Sequence, residues 1–463
     1  MSLLEELRGL VGDSWVVTGE EARLYSVDGF TVVGGNPRAV VLPGNEEQAV
    51  KTVRTLLKRG EPFLVRGTGT SLSGASIPVN GEVVVSMARL NRILDWEGLE
   101  VTVGPGIANV MVTKNAPPHL FYAPDPSSYS VSSIGGNVSH DSGGIHVVKY
   151  GPTFNHVVGL RVLLPDGQLV DAGGRSVMDD AGIFVGAEGT LGVVLRARLR
   201  LTPRPDASVT LMGAFESLRN AGEAVVNTFN SGVVPAAMEM MDRNSVEAVE
   251  RSKFRSGYPE AEAIVLVELD GYGPQVVEEV ELTTMAFQSA GGKVTLAKEQ
   301  AEADRLWRGR KGAFPAMGVV APAYLTLDSN ILVTKLPDVL EEISKISRRY
   351  GLKVANVFHA GDGNLHPLVP YDPSDPRGLE KALRAGREIV RVAVESGGVP
   401  SGEHGIGLEK VGFMGYYYTD EDLLAMRRVK DAFDPRHLLN RCKMLRLEGC
   451  QPVGPLRTLW EGD

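Results

Sequence analysis

Val357-Phe358-His359-Ala360-Gly361-Asp362-Gly363-Asn364-Leu365-His366-Pro367 restricts the fold more than any other stretch of the chain. Two apolar runs, 354–358 and 365–369, flank Asp362-Gly363, and Asp-Gly between such runs is a strong two-residue hairpin signal. With Asp362 and Gly363 at the centre of the turn, antiparallel pairing sets Gly361 opposite Asn364, Ala360 opposite Leu365 and His359 opposite His366. Directly opposed residues share one face with Cβ atoms roughly 5 Å apart. Two imidazoles so placed can converge on one metal ion.

A second stretch, Ser401-Gly402-Glu403-His404-Gly405-Ile406-Gly407, adds a carboxylate and a third imidazole. Its three glycines exclude a helix and allow close approach of the backbone to something bound. Two histidines and a glutamate around an open position form an ordinary catalytic metal set, suited to zinc, manganese or iron. The plainer reading is a pair of surface loops with solvated histidines. Against it, three of the chain's eight histidines fall inside Gly-rich, acid-containing stretches.

At 463 residues the chain accommodates two or three domains. A net charge of −9 and the lack of a basic run argue against nucleic-acid binding. No stretch has the apolar length of a transmembrane helix. Met1-Ser2-Leu3-Leu4-Glu5-Glu6-Leu7 reads as an amphipathic helix rather than a signal peptide, so a cytoplasmic protein is expected, free or peripheral to a membrane. Cys442 and Cys450 cannot hold an iron–sulfur cluster by themselves. Free thiols are expected, with a disulfide as the alternative.

In the first two hundred residues a strand at 38–42, a helix at 45–59 and a strand at 62–65 lead into Arg66-Gly67-Thr68-Gly69-Thr70-Ser71-Leu72-Ser73-Gly74. A strand followed by a Gly/Ser/Thr loop presents successive backbone N–H groups to phosphate oxygens. The loop is neither a P-loop nor a dinucleotide Gly-x-Gly-x-x-Gly, because no Gly-Lys-Ser/Thr follows and Leu72 occupies the third glycine's place. Small-residue segments recur at Asp125-Pro126-Ser127-Ser128, Ser132 to Val138, Asp141 to Gly144 and Gly186 to Val193. Their number suggests an elongated, polyphosphate-bearing ligand.

These segments resemble the FAD-binding domain of the vanillyl-alcohol-oxidase type. With the His359–His366 and Glu403-His404 stretches, nearly the whole chain is similar to the glycolate oxidase flavin subunit, D-lactate dehydrogenase and D-2-hydroxyglutarate dehydrogenase group. The resemblance implies an α+β protein with a two-part FAD-binding domain at 1–206. A cap domain at 207–415 would carry an antiparallel sheet flanked by helices, and 416–463 would return to the FAD-binding domain. It also implies FAD contacts from Arg66, Gly67, Thr68, Gly69, Thr70, Ser71, Asp125, Ser128, Ser132, Gly135, Gly136, Asn137, Gly143, Gly144, Glu188, Val193 and Asn440. Thr68 and Thr70 stand where covalent relatives have histidine, so non-covalent FAD is expected. Where the group ends Asn-Pro-Gly-Lys, this chain has Asn440-Arg441-Cys442-Lys443.

A divalent metal on His359, His366 and Glu403 would lower the pKa of a 2-hydroxy acid's hydroxyl. His404 is the expected base, since an imidazole's ordinary pKa lies near 6.5; the exchanged roles of Glu403 and His404 stay open. The resemblance assigns the substrate carboxylate to Arg310, three residues after Trp307, and Asn364 is expected to orient substrate or ligand. A lysine that related D-2-hydroxyglutarate enzymes use is replaced here by Tyr324-Leu325-Thr326. A small monocarboxylate, D-lactate or glycolate, is therefore favoured over the dicarboxylate. Electrons would pass to a quinone, a cytochrome, an electron-transfer flavoprotein or an iron–sulfur subunit, and a homodimer is left open. Two other functions compete: a non-redox transferase like the alkyl-glycerone-phosphate synthases, and a flavin-free metal hydrolase.

Overall fold

The computed structural model describes residues 1–174 and 179–460, which divide into two units. The first comprises Met1–Gly143, Gly151–Arg204 and Glu403–Asp463; the second comprises Gly144–Tyr150 and Pro205–Gly402. The expected boundaries shift accordingly. The cap ends at Gly402 rather than 415, and Gly144–Tyr150 joins it because Lys149 and Tyr150 both reach Asp270. Tyr150 donates its hydroxyl to that carboxylate at 2.7 Å, and the Lys149 ammonium contacts it as well.

In the first unit the sequence sets its own helix ends. Ser2 and Glu5 form a reciprocal cap on Leu3–Val11, whose Leu3, Leu7 and Val11 are buried. Asn45 accepts from the Gln48 N–H to start Glu46–Arg59, and left-handed Gly60 ends it. Phe63–Arg66, Val83–Ser86 and Ala39–Val41 pair in parallel, with Val16–Val17 antiparallel at one edge. A five-stranded antiparallel sheet follows, in the order Ile93–Glu97, Glu100–Val103, Val193–Arg200, Val157–Leu163, Leu169–Gly173. The C-terminal segment rejoins the first sheet. The Phe63 N–H donates to Leu438, and the Asn440 N–H donates to Phe63, each at 2.8 Å.

Ile134–His140, which overlaps the small-residue segment at 132–138, is a short helix capped by Ser133. A Cβ at Gly135 would lie 2.7 Å from Pro105 Cβ, so this turn tolerates only glycine. Cys442 and Cys450 form a disulfide with Cα atoms 5.6 Å apart, which corrects the expectation of free thiols. The intervening chain folds back on itself, and both cysteines pack with Leu447.

The second unit is built on an antiparallel sheet. Its order is Lys293–Leu296, Ala207–Phe215, Ala263–Gly271, Ala237–Asp242, Ala355–His359, then the short Asn364–Leu365 and Ser329–Asn330. Leu218–Asn230, Gly273–Ser289, Leu336–Tyr350 and Gly378–Glu395 are its long helices. Leu336–Tyr350 buries Leu336, Val339, Leu340, Ile343 and Ile346, the one-sided spacing of a helix laid on a core. Arg243–Glu250 forms a further helix that pattern reading missed, capped by Asp242.

Candidate active site

His359 ends a central strand of the second unit, directly opposite Glu239 on one side and Asn364 on the other. The expected pairing of His359 with His366 is therefore off by two residues. Four residues, Ala360 to Gly363, make the turn. The Gly361 N–H is claimed by Met238 at 3.0 Å, and Asp362 Oδ1 accepts the Asn364 N–H at 3.0 Å. Gly363 has φ 78°, and a Cβ there would lie 2.0 Å from the Ile331 carbonyl. A slip of two preserves the face. The two imidazoles still meet, with ring centroids 5.0 Å apart and planes at 84°. A ring nitrogen of each lies within 4.8 Å of the other. Metal bonds of about 2.1 Å in tetrahedral array hold donors about 3.4 Å apart, so a cation needs only a small closure of this pair.

Glu239, absent from the sequence reading, organises the neighbourhood. Its Oε1 accepts from His359 Nδ1 at 2.7 Å, and its Oε2 accepts from Arg310 Nε at 2.8 Å. Arg310, expected to be free for a substrate carboxylate, is 2% exposed and anchored on Glu239 through this edge. Asn364 is buried, and its Oδ1 has no hydrogen-bond partner among the described residues, as befits an acceptor aimed at a ligand. Asp328 was also missed. It accepts from Ser401 Oγ at 2.6 Å and the Gly402 N–H at 3.0 Å, and its Oδ1 lies 3.8 Å from His366 Nε2. A Cβ at Gly402 would meet Asn364 Oδ1 at 2.3 Å, so glycine is required there. An imidazole pair whose outer nitrogens face buried carboxylates fits a borderline divalent cation.

Glu403 and His404 open the last segment of the first unit. Neighbours in an extended chain point apart. Left-handed Gly405 (φ 80°) and Gly407 (φ 50°) bend this one. Glu403 Oε1 and His404 Nε2 are 3.6 Å apart, so the two side-chain tips lie side by side.

The first unit assembles the expected flavin segments. Gly67 packs on Ser133, where a Cβ would lie 2.0 Å from Oγ, and Gly69 has φ 75°. Thr68 is exposed, and Thr70 and Ser71 are half-buried, so the loop's polar groups remain accessible. The Arg66 side chain is turned inward, and its guanidinium donates to the backbone carbonyls of Val27 at 2.7 Å and Ser76 at 3.2 Å. It braces the loop rather than reaching outward to a phosphate. Ser128 offers its carbonyl to the Ser132 N–H at 2.7 Å, and Ser132 Oγ accepts from Asn137 Nδ2 at 3.2 Å. Asp125 is half-buried beside this turn. Gly136 sits at the start of the short helix, while Gly143 and Gly144 fall in different units. Val193 pairs with Leu163 and has its side chain in the core.

Glu188 is left-handed (φ 48°) and buried, and accepts the N–H groups of Ile406 at 2.5 Å and Gly407 at 2.8 Å. It thus fixes the turn that follows His404. Burial pushes its pKa up to about 7 despite those two hydrogen bonds. His140 was not singled out from the sequence. It bonds the Gly136 carbonyl at 3.2 Å and Ser71 Oγ at 3.1 Å. Burial, with the charges of His404 and Lys410, pushes its pKa down to about 4. Asn440 donates to the Glu188 carbonyl at 2.7 Å, while its buried Oδ1 has no hydrogen-bond partner among the described residues. Glycines packed to contact, accessible hydroxyls and an orphaned amide oxygen fit a large polar cofactor. Lys443 pairs with buried Glu82 at 3.4 Å.

Residues 204–444 match the family model described as FAD linked oxidases, C-terminal domain, and residues 37–173 match the FAD binding domain. The chain is 40% identical to the glycolate oxidase subunit GlcD of Escherichia coli strain K12, over 98% of this chain and 93% of that protein. It is 30% identical to a D-lactate dehydrogenase of Archaeoglobus fulgidus, over 88% and 91%. Among solved structures, 4-ethylphenol oxidase from Gulosibacter chungangensis superposes with a TM-score of 0.79 at 20% identity, covering 95% of each chain. That likeness places the fold with the vanillyl-alcohol-oxidase type, as the loop pattern implied.

Proposed function

This chain belongs to the FAD-linked oxidase family, and from that premise we propose that it oxidises a small D-2-hydroxy acid to the 2-oxo acid. D-Lactate is the favoured substrate, with glycolate and D-2-hydroxyglutarate as alternatives. The electrons go to an acceptor other than NAD. The observation that carries the metal-assisted form of this reading is the buried imidazole pair, His359 and His366, backed by Glu239 and Asp328.

Glu403 is the third ligand. It follows Gly402, whose N–H is fixed on the carboxylate beside His366, so the peptide bond itself limits how far it can stray. A bound divalent cation supplies Lewis acidity at the substrate hydroxyl, and bound FAD supplies the two-electron acceptor for the hydride from Cα. His404 takes the hydroxyl proton on a ring nitrogen as the carbonyl forms. The outer N–H groups of Arg310, held in place through its Glu239 edge, bind the substrate carboxylate. Asn364 Oδ1 accepts from a substrate or ligand donor. The lysine that the resemblance to D-2-hydroxyglutarate enzymes would call for is replaced by Tyr324, Leu325 and Thr326, on the strand Ala323–Thr326, which supports a monocarboxylate.

The decisive test is anaerobic bleaching of the flavin absorbance by D- and L-hydroxy acids, with and without chelator. The purified protein should be yellow, and D-lactate should bleach it. Chelator should abolish bleaching without releasing FAD. A colourless protein, or one bleached by none of the panel, would overturn the assignment.

A further inference from the structure

Glu239 lies at the middle of the second unit's sheet, its side chain wholly out of solvent. The register sets it directly across from His359 on the neighbouring strand, so both side chains stand on one face by construction. Both of its oxygens are engaged: Oε1 takes His359 Nδ1 at 2.7 Å, and Oε2 takes the Arg310 guanidinium, Nε at 2.8 Å with the adjacent Nη2 beside it. A carboxylate only accepts, so in this bond the proton sits on His359 Nδ1. That leaves the Nε2 lone pair as the only one this ring can offer to a cation. The same carboxylate sets the plane of the guanidinium, because bonding through Nε fixes the direction of the remaining N–H groups.

We infer that Glu239 is the positioning residue that aims His359 Nε2 at the divalent cation and Arg310 at the substrate carboxylate, holding both through one side chain. This rests on the metal-assisted reading above. A glutamine at 239 cannot replace it. The amide has one acceptor oxygen, and its NH2 would confront either the His359 N–H or the Arg310 N–H. The residue that meets the NH2 turns away, and the other keeps a neutral bond in place of a charge-assisted one, so both lose their hold. Outer-sphere carboxylates of this kind change metal affinity by about 10- to 100-fold when altered.

The experiment compares wild type with Glu239→Gln and Glu239→Asp. Zinc and manganese affinity is measured by chelator competition on the FAD-loaded protein, without turnover. The expected result is a cation affinity about 10- to 100-fold weaker for Glu239→Gln at unchanged FAD content. With saturating metal its kcat should recover while KM for D-lactate stays raised, because Arg310 remains misaligned. Glu239→Asp should recover part of the affinity. A wild type that binds no cation would sink the metal-assisted reading itself. A wild type that binds and a Glu239→Gln that binds equally well would overturn only the role of Glu239. Should Glu239→Gln fail to fold, the metal-free wild type still decides: histidine 15N–1H correlation, assigned with His359→Asn, must show His359 protonated at Nδ1. An Nε2–H tautomer there would refute the inference.

Discussion

Glu188 and His140 place opposite proton linkages beside one turn, and this gives a signature that the contacts alone do not. A Cβ placed on Gly405 would lie 2.6 Å from Glu188 Oε1 and 3.3 Å from His140 Cδ2, so both line the same bend. Glu188 holds its proton up to about pH 7 when folded but releases it from its ordinary 4.5 when unfolded. Between those values the folded state binds the extra proton, so stability falls as pH rises. His140 is the reverse: unfolded it takes a proton at 6.5, folded only near 4, so stability falls as pH drops through that span. In the shared window, pH 4.5 to 6.5, the two slopes oppose and partly cancel. Each is worth about 1.4 kcal/mol per pH unit at full effect, or roughly 2.7 kcal/mol across the window. His140 keeps some solvent contact, which reduces its share to roughly half. Glu188→Gln removes the acid's slope, so its stability deficit relative to wild type should shrink as pH rises from 4.5 to 6.5. His140→Asn should show the mirror image, a deficit that shrinks as pH falls. Urea unfolding of the FAD-loaded protein at several pH values measures both, and the difference from wild type cancels every other titrating group. Deficits that stay level within about 0.5 kcal/mol for both variants would refute the argument.

His404→Ala should retain FAD yet lose reduction by substrate, read as unbleached flavin with D-lactate; turnover near wild type would remove His404 from the base role. Asp242→Ala should destabilise the second unit by about 3–5 kcal/mol, with the smaller share from the helix cap and the rest from the Asn356 donors it leaves unmade. A drop below about 1 kcal/mol in urea unfolding would show that those buried groups find other partners. Because Asn356 lies on the His359 strand, cation affinity should weaken in the same variant.

Local signals carried the fold a long way. Local patterning marked Ala39–Val41, Glu46–Arg59 and Phe63–Arg66 within a few residues. What they could not mark was any element whose reason is tertiary. Ile134–His140 carries two glycines that argue against a helix, and they are there because Pro105 and Ser133 press on that turn. The disulfide escaped because eight residues of separation permit either state, and only the fold-back of the segment brings the sulfurs together. Glu239 and Asp328 escaped for the same reason. A carboxylate in a strand has no motif until the neighbouring strand puts an imidazole opposite it.

The hairpin shows how a wrong local inference can leave a functional one standing. Asp-Gly suggested a two-residue turn, but the Gly361 N–H is claimed by Met238 and the Gly363 backbone presses on Ile331, so the chain needs four residues to reverse. That moves the register by two. A shift of one would have sent His366 to the opposite face of the sheet and left His359 alone with Glu239. Period-two alternation makes even slips harmless to the face and odd slips fatal. The spacing of seven between the histidines therefore constrains the site more tightly than the turn type does. Lengthening the turn by one residue should separate the imidazoles onto different faces and abolish cation binding in chelator competition, whereas lengthening it by two should keep them together. Equal cation affinity in both insertions would show that the face of the sheet does not set the site.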